Sequence, residues 1–246
     1  LTNPTPNIRL SSLDEERFGI RTARAFDLTL EQLPAVTTFC QSNNVTFLIA
    51  RCAVSELPAV QAMESQGFLL MDTLLYFSRC LTDASIPPLD ESVTIRPVRF
   101  EEAQVVGEMA ALVFRGYQGH YHADSRLERD ACDAVYSSWA YRSCISRDVA
   151  DEVLVAERDG VIQGFTTLKL HSVEEGELPL YGVHPSAQGL GIGRNLVIAA
   201  LHWFASKGVQ KVWTSTQITN LASQKLWVRL GLEPEQAHYT FHKWFD

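Results

Sequence analysis

Three glycines alternate in Gln188-Gly189-Leu190-Gly191-Ile192-Gly193, between an apolar run and a helical pattern. The run Leu178–Val183 reads as a strand, and Leu196, Val197, Ala200, Leu201 and Phe204 recur at helical spacing beyond it. Glycine lets the backbone turn tightly and leaves no Cβ between its amides and a ligand. The free amides that open a helix, together with the positive end of its dipole, make a site for phosphate or pyrophosphate. A strand, a glycine turn and a helix in this order predict an α/β fold that holds an anionic cofactor.

A P-loop would close its glycine run on Lys followed by Ser or Thr, and Arg194-Asn195 stands there instead. A dinucleotide fold spaces its glycines differently, early in a βαβ unit, with an acidic ribose ligand about 20 residues on. Here the run lies late, with no early parallel βαβ series before it. Gln-x-x-Gly-x-Gly after Val183-His184-Pro185 resembles the acetyl-CoA signature of the Gcn5-related N-acetyltransferases (GNAT). The order of elements read over residues 93–246, β-αα-ββ-β-α-β-α-β, also resembles that fold, an α/β (α+β) unit with a mixed central sheet. In it Val93–Arg96, Glu152–Glu157, Val161–Leu170, Lys211–Ser215 and Ala237–Trp244 are further strands. Glu101–Phe114, Leu127–Ile145 and Leu221–Leu230 are helices, and Asp159-Gly160 makes a two-residue hairpin turn.

Asp83–Asp90, with two prolines, small residues and acids, reads as a linker, so the chain divides into 1–82, a linker at 83–92, and 93–246. The first part is not a random extension. Sliding the chain by 164 positions lays Val45 on Val209, Leu57 on Leu221, Gly67 on Gly231 and Phe77 on Phe241 without a gap. The helix Leu30–Phe39 then overlies Arg194–Trp203, and the strand Phe47–Arg51 overlies Lys211–Ser215. This register predicts a diverged, partial GNAT-like half. Its counterpart of the glycine turn, Arg24–Thr29, has no glycine, so this half should wall the substrate site rather than bind the cofactor.

A net charge of −8 disfavours an extended nucleic-acid surface. No apolar run reaches the roughly 18 residues of a membrane span, and no basic-then-apolar leader opens the chain. The five cysteines, odd in number and never spaced C-x-x-C, argue against a disulfide framework or a zinc site and for a reducing cytoplasm.

The resemblance implies acetyl-CoA as the cofactor. The amides of Gly189, Leu190, Gly191, Ile192, Gly193 and Arg194 would cradle its pyrophosphate, with Gln188 and the Arg194 side chain as further donors. The pantetheine would pair, as an added strand, with Tyr181, Gly182 and Val183. Asn220, a favoured N-cap with Ser223 in the same turn, would contact the pantetheine. The family's C-terminal motif Asn-x-x-Ala/Ser-x-x-x-Tyr-x-x-x-Gly departs at one place, since Trp227 stands where the Tyr acid is expected. An indole donates a hydrogen bond but releases no proton near neutrality. A thiolate leaves readily by itself, so the reaction class survives this loss. Glu177 opens the strand before the loop, where histone-acetylating relatives place a base; His184 and His171 are weaker candidates. No Cys or Ser sits in a nucleophile setting, which favours direct transfer.

Gly119-His-Tyr-His-Ala-Asp-Ser-Arg126 falls between the two helices that border the acceptor cleft in this fold. Tyr121, His122 and Asp124 are the expected contacts to a polar, hydroxylated acceptor, although Asp124 or Ser125 would also serve as a helix cap. His120 and His122 with one Asp do not complete a metal site. Arg17-Phe-Gly19 and the Tyr-x-x-Asp before Tyr136 and Trp139 resemble the bacterial dTDP-fucosamine acetyltransferases. That resemblance implies acetyl transfer to the amine of a dTDP-linked amino sugar. Another small amine, a protein N-terminus, or a non-catalytic acyl-CoA sensor are the alternatives.

Overall fold

The computed structural model describes residues 5–82 and 85–245; Asp83 and Ala84 of the expected linker lie outside the described residues. Its strands are β1 (Asn7–Leu10), β2 (Thr22–Phe26), β3 (Phe47–Ala53), β4 (Leu69–Cys80), β5 (Thr94–Pro97), β6 (Glu152–Arg158), β7 (Val161–Leu170), β8 (Glu175–Leu178), β9 (Tyr181–Val183), β10 (Lys211–Gln217) and β11 (Glu233–Trp244). Its helices are α1 (Ser12–Phe18), α2 (Leu33–Ser42), α3 (Leu57–Ser65), α4 (Ala103–Val113), α5 (His120–Ala123), α6 (Arg129–Ile145), α7 (Ile192–Ser206) and α8 (Leu221–Arg229). The strands join in one mixed sheet in the order β1-β2-β3-β11-β4-β10-β8-β7-β6-β5, with β9 paired to β7 alone.

The 164-residue register runs through this sheet. Strands β3 and β10, helices α3 and α8, and strands β4 and β11 occupy matching positions in the two halves. In the antiparallel β4–β11 ladder Leu74 lies opposite His238, its own counterpart. Around that pair the contacts are reciprocal: Thr73 faces Tyr239 while Leu75 faces Ala237, and Asp72 faces Thr240 while Tyr76 faces Gln236. A local two-fold axis at Leu74/His238 therefore relates the halves. Each half also gives its long strand to the other, since β11 pairs with β3 and β4 pairs with β10. The segments 1–82 and 93–246 thus interlock through exchanged strands instead of closing separate sheets.

Alternation along the strands makes the two layers. In β3, Leu48, Ala50 and Cys52 pack with residues of α2 and α3, while Phe47 and Ile49 join Tyr121, Leu127 and Val135 beneath α5 and α6. Helices α7 and α8 bury Leu196, Val197, Leu201, Phe204 and Trp227 on the C-terminal half, and α4 and α6 cover the opposite face through Val106, Ala110 and Ala140. The hairpin turn forms at Asp159 and Gly160, both at positive φ, as a type I′ turn requires.

One expectation needs correction. Leu178–Val183 is not a single strand. Pro179 has no N–H to give a ladder, and the chain breaks there into β8 and β9. Strand β8 pairs in parallel with β10 from Glu175 to Leu178, and after the break β9 stays on β7. The sheet splays between β9 and β10, leaving one edge of β9 unpaired.

Candidate active site

The splay opens into two cavities that meet. The larger, about 960 Å³, is lined by the open edge of β9, the glycine turn and one face of α8. Gly189 and Gly191 lie at φ +80° and +78°, a left-handed region costly for other residues, and a Cβ on either would meet no atom within 4 Å. Gly191 is the N-cap of α7 and no side chain caps that helix. Among the described residues, the amides of residues 189–194 donate to no protein acceptor. Arg194 and Arg229 add cations to the wall. A row of free amides at a helix start, with two guanidinium groups beside it, fits a pyrophosphate.

Gln188, Gly189, Gly191, Ile192, Gly193, Arg194, Tyr181, Gly182, Val183, Asn220 and Ser223 all line this cavity; Leu190 is half-exposed and is not part of its wall. Asn220 Oδ1 accepts from the Ser223 amide at 3.3 Å, the expected N-cap bond. Arg229 was not anticipated, yet Ala222, Leu226 and Arg229 at i, i+4 and i+7 of α8 mark one helix face.

The second cavity, about 570 Å³, lies under α5 and α6 and draws its walls from both halves. Among the described residues Arg9, Arg17, Arg24, Arg51 and Arg142 line it with two carboxylates, Asp72 and Glu177, in a chain of net charge −8. Arg24 is neutralised by buried Asp14, whose Oδ1 also accepts from the Tyr121 hydroxyl at 2.7 Å. Burial works to raise the Asp14 carboxyl, but donation and charge from Arg24 hold it below the ordinary value. Among the described residues Arg9 and Arg51 have no ion pair, and the Nε of Arg51 is buried without a partner. Arg17 and Arg142 also have carboxylate partners, Asp14 and Glu16, so Arg9 and Arg51 are the guanidinium groups of the wall left for an anionic ligand.

Tyr181, Ser223, Gln217, Asn220, Phe114 and Tyr117 line both cavities and so mark their junction. There the Tyr181 hydroxyl and Ser223 Oγ lie 2.8 Å apart, and burial raises the Tyr181 phenol above its ordinary pKa. Trp227 sits behind this pair, 2% exposed, its ring 6.0 Å from Tyr181 and 5.4 Å from Phe77. Its Nε1 has no partner. Residue 227 thus borders the junction with a lone N–H in place of a phenol, and the nearby phenol comes from strand β9.

The other expected residues divide. Glu177 lines the second cavity, with its Oε2 2.7 Å from His171 Nε2. That hydrogen bond raises the His171 pKa. His184 caps the following turn through Ser186 and lines neither cavity. Tyr121 is on the cavity wall, its phenol pushed up to about 12 by burial. His122 turns away to Asp133 at 3.1 Å. Asp124 is also corrected: it is buried and holds His242 and Trp244 at 2.8 and 2.9 Å, so it does not contact the cavity. His120, in the same stretch but not among the three expected contacts, does line the cavity; its partner is 122 residues away and left no local signal. Among the described residues no group of three or more His, Cys, Asp or Glu is placed to hold a metal, and no helix is long and apolar enough to cross a membrane.

Residues 113–232 match the acetyltransferase (GNAT) family. The fold is the GNAT fold, and the matched stretch runs from the end of α4 to the residue before β11. The chain is 31% identical over 71% of its length to a mycothiol acetyltransferase of Thermomonospora curvata, covering 56% of that protein. It is 32% identical over 73% of its length to that of Acidothermus cellulolyticus, covering 57%. To the spore coat polysaccharide biosynthesis protein SpsD of Bacillus subtilis it is 23% identical over 85% of its length, covering 71%. The chain thus spans little more than half of the mycothiol acetyltransferases. Among solved structures, a GCN5-related N-acetyltransferase from Sphaerobacter thermophilus superposes with a TM-score of 0.68 at 15% identity, covering 97% of this chain and 76% of that one. A tandem GNAT protein from the clavulanic acid biosynthesis pathway gives 0.64 at 15% identity over 92% and 76%. Both cover the two halves together.

Proposed function

We propose that this protein transfers an acetyl group from acetyl-CoA directly to a primary amine, and that the amine belongs to a nucleotide-linked amino sugar of the dTDP type. One observation carries the reading: an amide-lined anion cavity and an arginine-lined cavity meet at Tyr181, Gln217, Asn220 and Ser223. Bound in the first, acetyl-CoA supplies a thioester carbonyl open to attack. The amides of Gly189, Gly191 and Gly193 with Arg194 hold the phosphates, and the unpaired edge of β9 orients the chain that leads to the junction. A free N–H on that edge polarises the carbonyl. Asp72 and Glu177 draw a protonated amine inward, while Arg9 and Arg51 take an anionic group at the far end of the acceptor. The polysaccharide-biosynthesis relative supports a sugar acceptor. Trp227 favours a second reading, an acyl-CoA sensor without turnover, since the usual phenol is absent there.

A thermal-shift screen against dTDP- and UDP-linked amino sugars tests the acceptor class. At 100 times its dissociation constant a ligand adds about 2.7 kcal/mol, or roughly 5–10 °C for a chain of this size. Shifts from neutral amines, with none from nucleotide sugars, would remove the anionic-acceptor assignment.

A further inference from the structure

We propose that Asp124, His242 and His120 form a proton relay, whose cavity end, Nε2 of His120, removes the proton from the acceptor nitrogen. The inference rests on the acetyl-transfer reading and names the general base within it.

The donor directions follow from the geometry. Asp124 Oδ2 lies 2.8 Å from His242 Nδ1 and 2.9 Å from the donor Nε1 of Trp244, and Oδ1 accepts from the Arg126 amide at 3.0 Å. Burial opposes ionisation of Asp124, but the bonds from His242 and Trp244 hold its pKa below the ordinary value. An ionised carboxylate only accepts, so Nδ1 of His242 carries the proton and Nε2 presents its lone pair. That nitrogen is 2.9 Å from His120 Nδ1, so His120 donates from Nδ1. The lone pair of His120 is left on Nε2. No protein group bonds to it among the described residues, and His120 lines the acceptor cavity. A carboxylate orienting one imidazole, which orients a second, is an arrangement that fixes tautomers and stabilises the cation formed on proton uptake.

The surroundings keep His120 ready to accept. Burial, then the charges of His242 on β11, Arg51 on β3, Arg24 on β2 and His122 on α5, lower its pKa well below the ordinary value. Burial likewise lowers His242, against Asp124 and the more distant Asp72 of β4. A neutral imidazole is therefore present at neutral pH. The place is also suitable. Gln118, two residues before His120, lines the cofactor cavity, and its carbonyl accepts from Gln217 Nε2 at 2.6 Å, at the junction.

The step balances. The amine first gives its extra proton to solvent; the neutral form attacks the thioester carbon, and its N–H proton passes to His120 Nε2 as the C–N bond forms. The C–S electron pair leaves on sulfur, and the proton moves on from His120 to the thiolate or to water. Amide and free thiol are the only products.

The test is the pH profile of kcat/KM for an amine acceptor, with CoA affinity measured by calorimetry on each variant. We expect an acid limb in the wild type. His120→Gln should lose at least ~100-fold in turnover and keep only the part of the limb that belongs to the amine's own ionisation, with CoA affinity unchanged. Asp124→Asn should also slow turnover, because an amide can favour the other tautomer of His242. Imidazole should restore part of the activity of His120→Ala, a readout that a packing role would not give. Glu177→Gln should keep the acid limb. An unaltered profile in His120→Gln, an acid limb lost in Glu177→Gln alone, or a folded His120→Ala without rescue would each overturn the relay. A wild type that releases no thiol with any amine would overturn the transferase reading itself.

Discussion

Gly191→Val separates the cost of a backbone conformation from the loss of a ligand contact. Gly191 adopts φ +78° and ψ −4°, and a Cβ there meets nothing within 4 Å. The fold therefore bears only the left-handed strain, about 1–2 kcal/mol for an L residue. Reduced freedom of the unfolded chain offsets about 0.4–1 kcal/mol of it. The net loss is small against the 5–15 kcal/mol typical of a folded domain. The valine methyls, however, enter the cavity where the amides of residues 189–194 are free. A hydrogen bond to a charged group contributes about 1.5–3 kcal/mol, so losing two weakens CoA binding by roughly 10²- to 10⁴-fold. Gly19→Val is the matched control, because Gly19 is also left-handed (φ +65°), also meets nothing within 4 Å and lies at the end of α1. Calorimetry with CoA, alongside thermal unfolding, should show similar stability losses in both variants and lost affinity only in Gly191→Val. A folded Gly191→Val that binds CoA within about twofold of wild type would refute the phosphate cradle.

Trp227→Ala should cost about 3–5 kcal/mol in denaturant unfolding, as expected for a buried Trp packed on Phe77 and Tyr181. Trp227→Phe should be milder, because it also removes the unpartnered N–H, and Trp227→Tyr should turn over as fast as wild type or faster. Loss of turnover in both folded variants would assign the indole a specific role. Deleting the first 90 residues removes β4 from between β10 and β11, so the remainder should aggregate in size-exclusion chromatography; a soluble, fully active fragment would contradict the exchanged-strand account. His120, His242 and His238 are all lowered by burial, so the unfolded chain binds more protons below its ordinary histidine pKa of about 6.5. Their stabilisation is complete above that pH and is lost as pH falls towards the folded values, by up to about 1.4 kcal/mol per pH unit per proton. Chemical denaturation should therefore show stability falling from pH 6.5 to 5, and a flat profile would refute the buried neutral histidines.

What the sequence disclosed follows physical lines. The glycine turn was legible because left-handed backbone at Gly189 and Gly191 demands a residue without a Cβ. The repeat was legible because equal element lengths keep one register from β3 to β4 and from β10 to β11. Strand exchange was not, since an alternating pattern states which face is buried and says nothing about which strand is the neighbour. The break at Pro179 had a signal, the missing N–H, outweighed by the apolar residues around it. Asp124 and His122 carried chemistry in their side chains, but His242 and Asp133 claim them. No short-range pattern brings residue 242 to residue 120.

Acetyl transfer itself is tested most directly by mass spectrometry of the purified protein incubated with acetyl-CoA and a panel of amines that includes dTDP-linked amino sugars, with free thiol followed in parallel. The account predicts one acetyl group gained on the amine of a nucleotide-linked amino sugar for each CoA thiol released, and no acetylated protein intermediate. Tight acetyl-CoA binding with no acceptor-dependent thiol release would contradict it and leave the sensor reading in its place.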